Sequence, residues 1–256
     1  MIREKLIEKN VGKSTKFRWR SHEISRIEGL SDAVFAFAVT LLVVSLEVPK
    51  TFTELMETMR GFGAFSISFV LLMVVWYNQY KFFRRYGLQD TYTVMLNAAL
   101  LFVVLFYVYP LKFLFTWLLS PLFGGGAVHL PGGVVEPMVD GREQMATLMI
   151  IFGIGYVAVF TVFILLYLHA YRQRVALDMN RLEIFDTRTD IQECALSVCV
   201  GLLSISIIIF GGPGFAGVSG MVYMLLAVIM TIHGAIMGRS RRRLEEGFTA
   251  SATEAA

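Results

Sequence analysis

Charge is what this chain has least of. Only 17% of its 256 residues are Asp, Glu, Lys or Arg, where a soluble domain carries about 25%. Cysteine is scarce as well. Cys194 and Cys199 lie five apart in one apolar run, too few and too close for a disulfide framework, redox motif or metal pair, and read as small apolar residues. The four histidines, His22, His129, His169 and His233, fall in four separate regions, so no metal site is expected from them. No Walker A loop, Ser/His/Asp order or Cys/His cluster occurs, and the chain is not expected to be an enzyme or to hold a cofactor. The glycine-rich stretch 211–217 lacks the Thr and Tyr of a TVGYG-like filter, and the fourth apolar run lacks the arginine series of a voltage sensor. The first 29 residues contain no short apolar stretch ending at a small-residue cleavage site, so no cleaved signal is expected.

What the chain has in excess is apolar sequence. Hydrophobic residues make up 56%, the mean hydropathy is +0.63, and the excess is gathered into runs at 31–48, 61–80, 92–119, 145–170, 194–211 and 217–238. Each reaches the roughly 17–25 residues that cross a bilayer as a helix. A soluble enzyme, a nucleic-acid-binding domain and a secreted disulfide scaffold are thereby excluded. An all-α integral membrane protein with six transmembrane helices is predicted. Its parts are a basic segment at 1–29, a six-helix domain at 30–238 and a basic-then-polar tail at 239–256.

Basic residues give the orientation. Arg3, Lys5, Lys9, Lys13, Lys16, Arg18, Arg20 and Arg26 precede the first run. Lys81, Arg84 and Arg85 follow the second, Arg172, Arg174, Arg181 and Arg188 follow the fourth, and Arg239, Arg241, Arg242 and Arg243 follow the sixth. The opposite side has only Lys50, Arg60 and Arg142, and Lys112 lies inside the third run. Positive residues favour the cytoplasmic side, so both termini are expected there. The basic N-terminal tract reads as a topology determinant with some attraction to anionic lipid, not as a nucleic-acid arm. Between the runs, 49–60 is short and carries Glu54 and Glu57. The stretch 120–144 is a glycine-rich irregular loop, and 211–217 a tight hairpin. The polar stretch 171–193 extends a helix beyond the membrane, with Thr189 and Gln192 spaced as a cap for the fifth helix.

Polar residues within the spans are the best pointers to function. The first run opens with Arg26, Ser31 and Asp32 in the string RIEGLSDAVFAFAVTLLVVSLEVP. Asp32 fits two readings: a carboxylate paired with Arg26 or with neighbouring helices, or, with Ser31, a cap on the membrane helix. Farther along, Phe37, Leu41, Val44 and Val48 share one helical stripe bordered by Thr40. Such a stripe faces lipid or a neighbouring helix, or, where several copies meet on an axis, forms stacked apolar rings that gate by dewetting.

The string Arg26-x-x-x-Leu30-Ser31-Asp32 followed by AVFAFAVTLLV resembles the R-x-x-x-F-S-D signature of the transmembrane protein 175 family of potassium channels. Trp76-Tyr77-Asn78, Asp90, Asn97 and Pro110 follow in the family's order. The likeness implies a prokaryotic single-repeat member: a homotetramer whose first helices line a four-fold pore without a re-entrant filter loop. By the same resemblance, Phe37 takes the place of the hydrophobic constriction, Leu41 and Val44 of further rings, and Thr40 of a layer that sets cation preference. Arg26, Ser31 and Asp32 match a polar network that fixes the pore helix. The sequence departs from the family at Leu30, where Phe is usual, and at Phe37, where a smaller aliphatic residue is common. Gln79 and Tyr80 stand where histidines are expected, and Lys112 follows Pro110. The expected activity is passive cation conduction favouring potassium at the cell membrane. The expected partners are the lipid bilayer, potassium ions and three further copies of the chain. A secondary transporter or a non-conducting membrane scaffold or sensor is the alternative.

Overall fold

The computed structural model describes residues 17–21, 23–44, 50–123, 127–129 and 135–254. Its elements are almost all helices: α1 Arg26–Val44, α2 Phe52–Tyr86, α3 Thr91–Phe123, α4 Gly141–Arg172, α5 Arg181–Gly211, the short α6 Ala216–Val222, and α7 Leu225–Glu254. By length and composition five stretches among the described residues can cross a membrane: α2, α3, α4, α5, and the stretch from Pro213 to Glu246 that contains α6. α1 is the remaining apolar helix and is described over 19 residues.

Local sequence fixes where the helices begin and end. Ser25 accepts a hydrogen bond from the Glu28 backbone N–H at 3.2 Å and so starts α1. Thr51 accepts from the Glu54 N–H at 3.2 Å and starts α2. α2 stops at Gly87, whose φ of 62° is left-handed backbone that glycine adopts without strain. The expectation that Thr189 and Gln192 cap the fifth helix is corrected. Asn180 and Glu183 form a reciprocal capping box, and α5 starts at Arg181. Thr189 lies well inside α5, its hydroxyl donating to the Phe185 carbonyl at 3.1 Å.

Two connections also depart from expectation. The loop at 120–144 contains a small antiparallel pair, β1 Ala127–His129 with β2 Val135–Pro137. The stretch 211–217 is not a simple hairpin. Gly212 turns the chain at φ 83°, a 3-10 turn spans Pro213–Phe215, and α6 follows at once. The last apolar run is stepped at Tyr223 and Met224, where the backbone N–H groups bond three residues back to Gly220 and Met221. α7 then runs without a break past residue 238 to Glu254.

Packing follows the apolar faces. α1 lies against α2 and α3, α3 against α4, α4 against α5, and α7 against α5. The main core joins Phe35 and Leu42 of α1, Phe82 of α2, Leu100 of α3 and Phe163 and Leu166 of α4. At Gly155 the α4 backbone has no Cβ, and the Tyr107 ring of α3 occupies that space.

Candidate functional site

α1 has two unlike faces. Glu28, Ser31, Phe35, Ala38 and Leu42 are buried at spacings of three and four. Gly29, Leu30, Ala33, Ala36, Phe37, Thr40 and Val43 are exposed on the other side, with Phe37 55% exposed. Leu41 sits at the border, half-buried against the main core. The side chains of Val44 and Val48 lie outside the described residues. Beyond Asp32 the exposed face is apolar except at Thr40, whose hydroxyl donates to the Ala36 carbonyl at 2.9 Å and retains lone pairs that can accept.

Polar contacts fix the buried face. Ser31 donates to the Ile27 carbonyl at 2.8 Å and accepts from the Asn97 amide of α3 at 2.9 Å. Asn97 in turn accepts from Gln79 of α2 at 2.9 Å. This chain ties three helices together, and all three side chains are buried. Asp32 is exposed and accepts from the Trp76 indole N–H at 2.8 Å. Of the two readings of Asp32, the structure shows a bond to a neighbouring helix. Ser25, not Ser31 or Asp32, caps α1, and among the described residues Asp32 makes no ion pair with Arg26, which is exposed. At the far end of α1, Lys112 of α3 donates to the Leu42 carbonyl at 2.7 Å.

The basic residues do more than mark one side. Residues 17–21 lie between the end of α2 and the start of α5. The Arg20 backbone N–H donates to the Arg84 carbonyl at 3.0 Å, and its guanidinium meets Glu183 at 2.7 Å. Glu183 is 1% exposed and also accepts from the Arg18 backbone N–H at 3.0 Å. Lys81 and Arg85 of α2 share Asp190 of α5 at 3.1 and 2.7 Å, and Arg241 of α7 meets Asp186 at 2.8 Å. Asp90, just before α3, accepts from Thr93 Oγ1 at 2.7 Å and lies 2.9 Å from His169 Nε2. Burial pushes the Asp90 carboxyl up, but the bonds from Thr93 and His169 outweigh it and hold it below its ordinary value.

Sequence reasoning missed this ionic belt. Its acids, Glu183, Asp186 and Asp190, lie inside a connection read for its arginines. The Asn180-x-x-Glu183 spacing was the one local signal there. Gln79 was noted as a departure and Asn97 as a landmark, yet neither was placed beside Ser31.

The match to the family model described as "Endosomal/lysosomal potassium channel TMEM175" covers residues 26–107. That span runs from the start of α1 to Tyr107 in α3, and so includes both faces of α1 and the Gln79–Asn97–Ser31 chain. A potassium channel of Marivirga tractuosa is 41% identical over 248 residues, which cover 94% of this chain and 98% of that protein. The chain belongs to the TMEM175 family. A crystal structure of a variant of the potassium channel MtTMEM175, in complex with a nanobody–MBP fusion protein, is 39% identical and superposes with a TM-score of 0.74, covering 90% of this chain and all of that one. A structure of a lysosomal potassium-selective channel TMEM175 homologue from Chamaesiphon minutus covers 83% of this chain and 99% of its own. Its identity is 22% and its TM-score 0.52, a likeness of fold alone. The family's members are multi-pass ion channels, which are not enzymes.

Proposed function

We propose that this chain is one subunit of a homotetrameric channel that conducts potassium passively across the cell membrane, with both termini in the cytoplasm. The face of α1 that is left without a partner among the described residues carries the reading. A helix fixed from behind by Ser31, Asn97 and Gln79 turns Leu30, Ala33, Phe37 and Thr40 away from its own subunit. Four such faces around an axis make a pore. The Phe37 ring is its apolar constriction, and ions crossing it give up hydration with nothing in return. The Thr40 hydroxyls, one turn farther along, offer oxygen ligands and set the preference among cations. Leu41, at the border of the exposed face, contributes to the ring's edge, and Val44 extends the row. Permeation needs no cofactor and no chemical step. The lengthwise identity to a named potassium channel supports the choice of ion.

The test is potassium flux from loaded liposomes holding the purified protein, with native mass spectrometry of the same sample. Potassium-selective flux from tetramers is expected. Intact tetramers that pass no ions point to a scaffold, and saturable flux coupled to a second solute points to a transporter.

A further inference from the structure

Lys112 is a cation inside a membrane helix, where a charge is costly and is kept for a function. Its Nζ donates to the Leu42 carbonyl at 2.7 Å. Leu42 is fully buried, so the contact is made behind α1, on the side away from Phe37 and Thr40. The carbonyl lies in the last described turn of α1.

This contact pairs with the one between Asn97 and Ser31. Both link α3 to α1, and the residues they hold on α1, Ser31 and Leu42, bracket Phe37 and Thr40. The spacing is consistent. Eleven residues separate Ser31 from Leu42, about 16 Å of helix, and fifteen separate Asn97 from Lys112, about 22 Å. The excess of about 6 Å is made up by the four-carbon lysine stem, which leans back toward the start of α3 as helical side chains do. A shorter side chain at 112 does not reach.

We infer that Lys112 is a positioning residue of the permeation path: with Asn97 it clamps α1 at two points and sets where Phe37 and Thr40 stand relative to the axis. This rests on the channel reading above. Asn97 holds the basic end of α1 and Lys112 the other. Loss of Lys112 removes this contact from that end while the rest of the fold stays packed.

The test compares full-length Lys112→Met and Lys112→Arg with the unaltered protein. Liposome flux of potassium and of sodium is measured for each. The separation of α1 and α3 is measured independently by spin labels at Val43→Cys and Phe113→Cys, with Cys194 and Cys199 replaced by serine. Met removes the donor at similar length. It is expected to broaden the label distances and to change the potassium-to-sodium flux ratio by about tenfold, the size of one lost charge-assisted hydrogen bond. Arg restores a donor and is expected to return both readouts to within about twofold of the unaltered protein. A Met variant with unaltered distances and flux ratio overturns the proposal. So does an Arg variant that fails to restore a Met defect, including a defect in assembly. If the unaltered protein forms tetramers but passes no ions, the channel reading fails, while the label distances still decide whether Lys112 clamps α1.

Discussion

At the basic end of the bundle, carboxylates from α5 each meet a cation from elsewhere in the chain: Glu183 with Arg20, Asp190 with Lys81 and Arg85, Asp186 with Arg241. Along the exposed row of α1, from Ala33 to Val43, Thr40 is the one polar side chain. The first region spends charge on holding elements together. The second has almost none and, among the described residues, is left without a partner. A helix that moves or conducts needs a face free of binding partners, and such a face is affordable only where the remainder is pinned firmly. The belt and the Ser31–Asn97–Gln79 chain supply that pinning.

The contrast breaks most severely at Glu183. Glu183→Ala leaves Arg20, half-buried beside α5, without its carboxylate and also removes half of the α5 capping box. Breaking one side of a buried pair costs about 3–5 kcal/mol, and thermal unfolding in detergent should show it. A loss below about 1 kcal/mol would class the pair with exposed ones and remove the belt from the account of stability. Replacing Arg20 and Glu183 together by methionine should recover part of the loss, because the Arg20 charge is then no longer stranded, while Arg18 still lacks Glu183.

Packing among the later helices comes next. A Cβ at Gly201 of α5 would lie 2.6 Å from Val157 Cγ2 of α4, closer than side-chain carbons approach. Gly201→Leu should therefore cost about 1–3 kcal/mol by overpacking. Because this contact lies on α4 and α5, the potassium-to-sodium flux ratio of the surviving tetramers should match the unaltered protein. A changed ratio would extend the site beyond α1, α2 and α3.

Phe37 tests the other half of the comparison. Phe37→Asn should wet the proposed ring and raise leak about tenfold, equivalent to about 1.4 kcal/mol, with little change in tetramer yield. Thr40→Val, which keeps the shape and removes the hydroxyl, should lower discrimination between potassium and sodium at similar stability. Unchanged flux from intact Phe37→Asn tetramers would take this residue out of the pore.

How much of this was legible in the sequence differs between the two regions. Apolar run length reports solvent, and the six runs marked each long helix because a span must stay apolar for about 20 residues. The α1 row was partly legible. Periodicity grouped Leu41 with Phe37, whereas packing turns Leu41 toward the core and leaves Thr40 beside Phe37 on the open face. The belt was not legible, since Arg20 and Glu183 are 163 residues apart and hydropathy carries no information about pairing. Lys112 could be recognised as an intramembrane charge, but its contact with the backbone carbonyl of Leu42 is one that no side-chain pattern announces. The step at Tyr223 and Met224 also lies in uninterrupted apolar sequence, so nothing in composition separates α6 from α7.

The smallest effect belongs to Asp90, at the belt's edge. Its carboxyl is held below the ordinary value by Thr93 and His169 against the opposing effect of burial. A carboxylate with a depressed folded pKa adds stability above its unfolded pKa of about 3.9, and that contribution is lost as the pH falls through the folded value. The expected window is therefore acidic, below about pH 4, and near neutral pH the contribution is constant. With the Asp90 side chain 36% exposed, solvent screening keeps it under about 1 kcal/mol. Asp90→Asn should flatten the dependence of the unfolding temperature on pH at that acidic edge and leave the slope between pH 6 and 8 as it was. A variant whose acid sensitivity equals that of the unaltered protein would show that Asp90 takes no part in the loss at low pH.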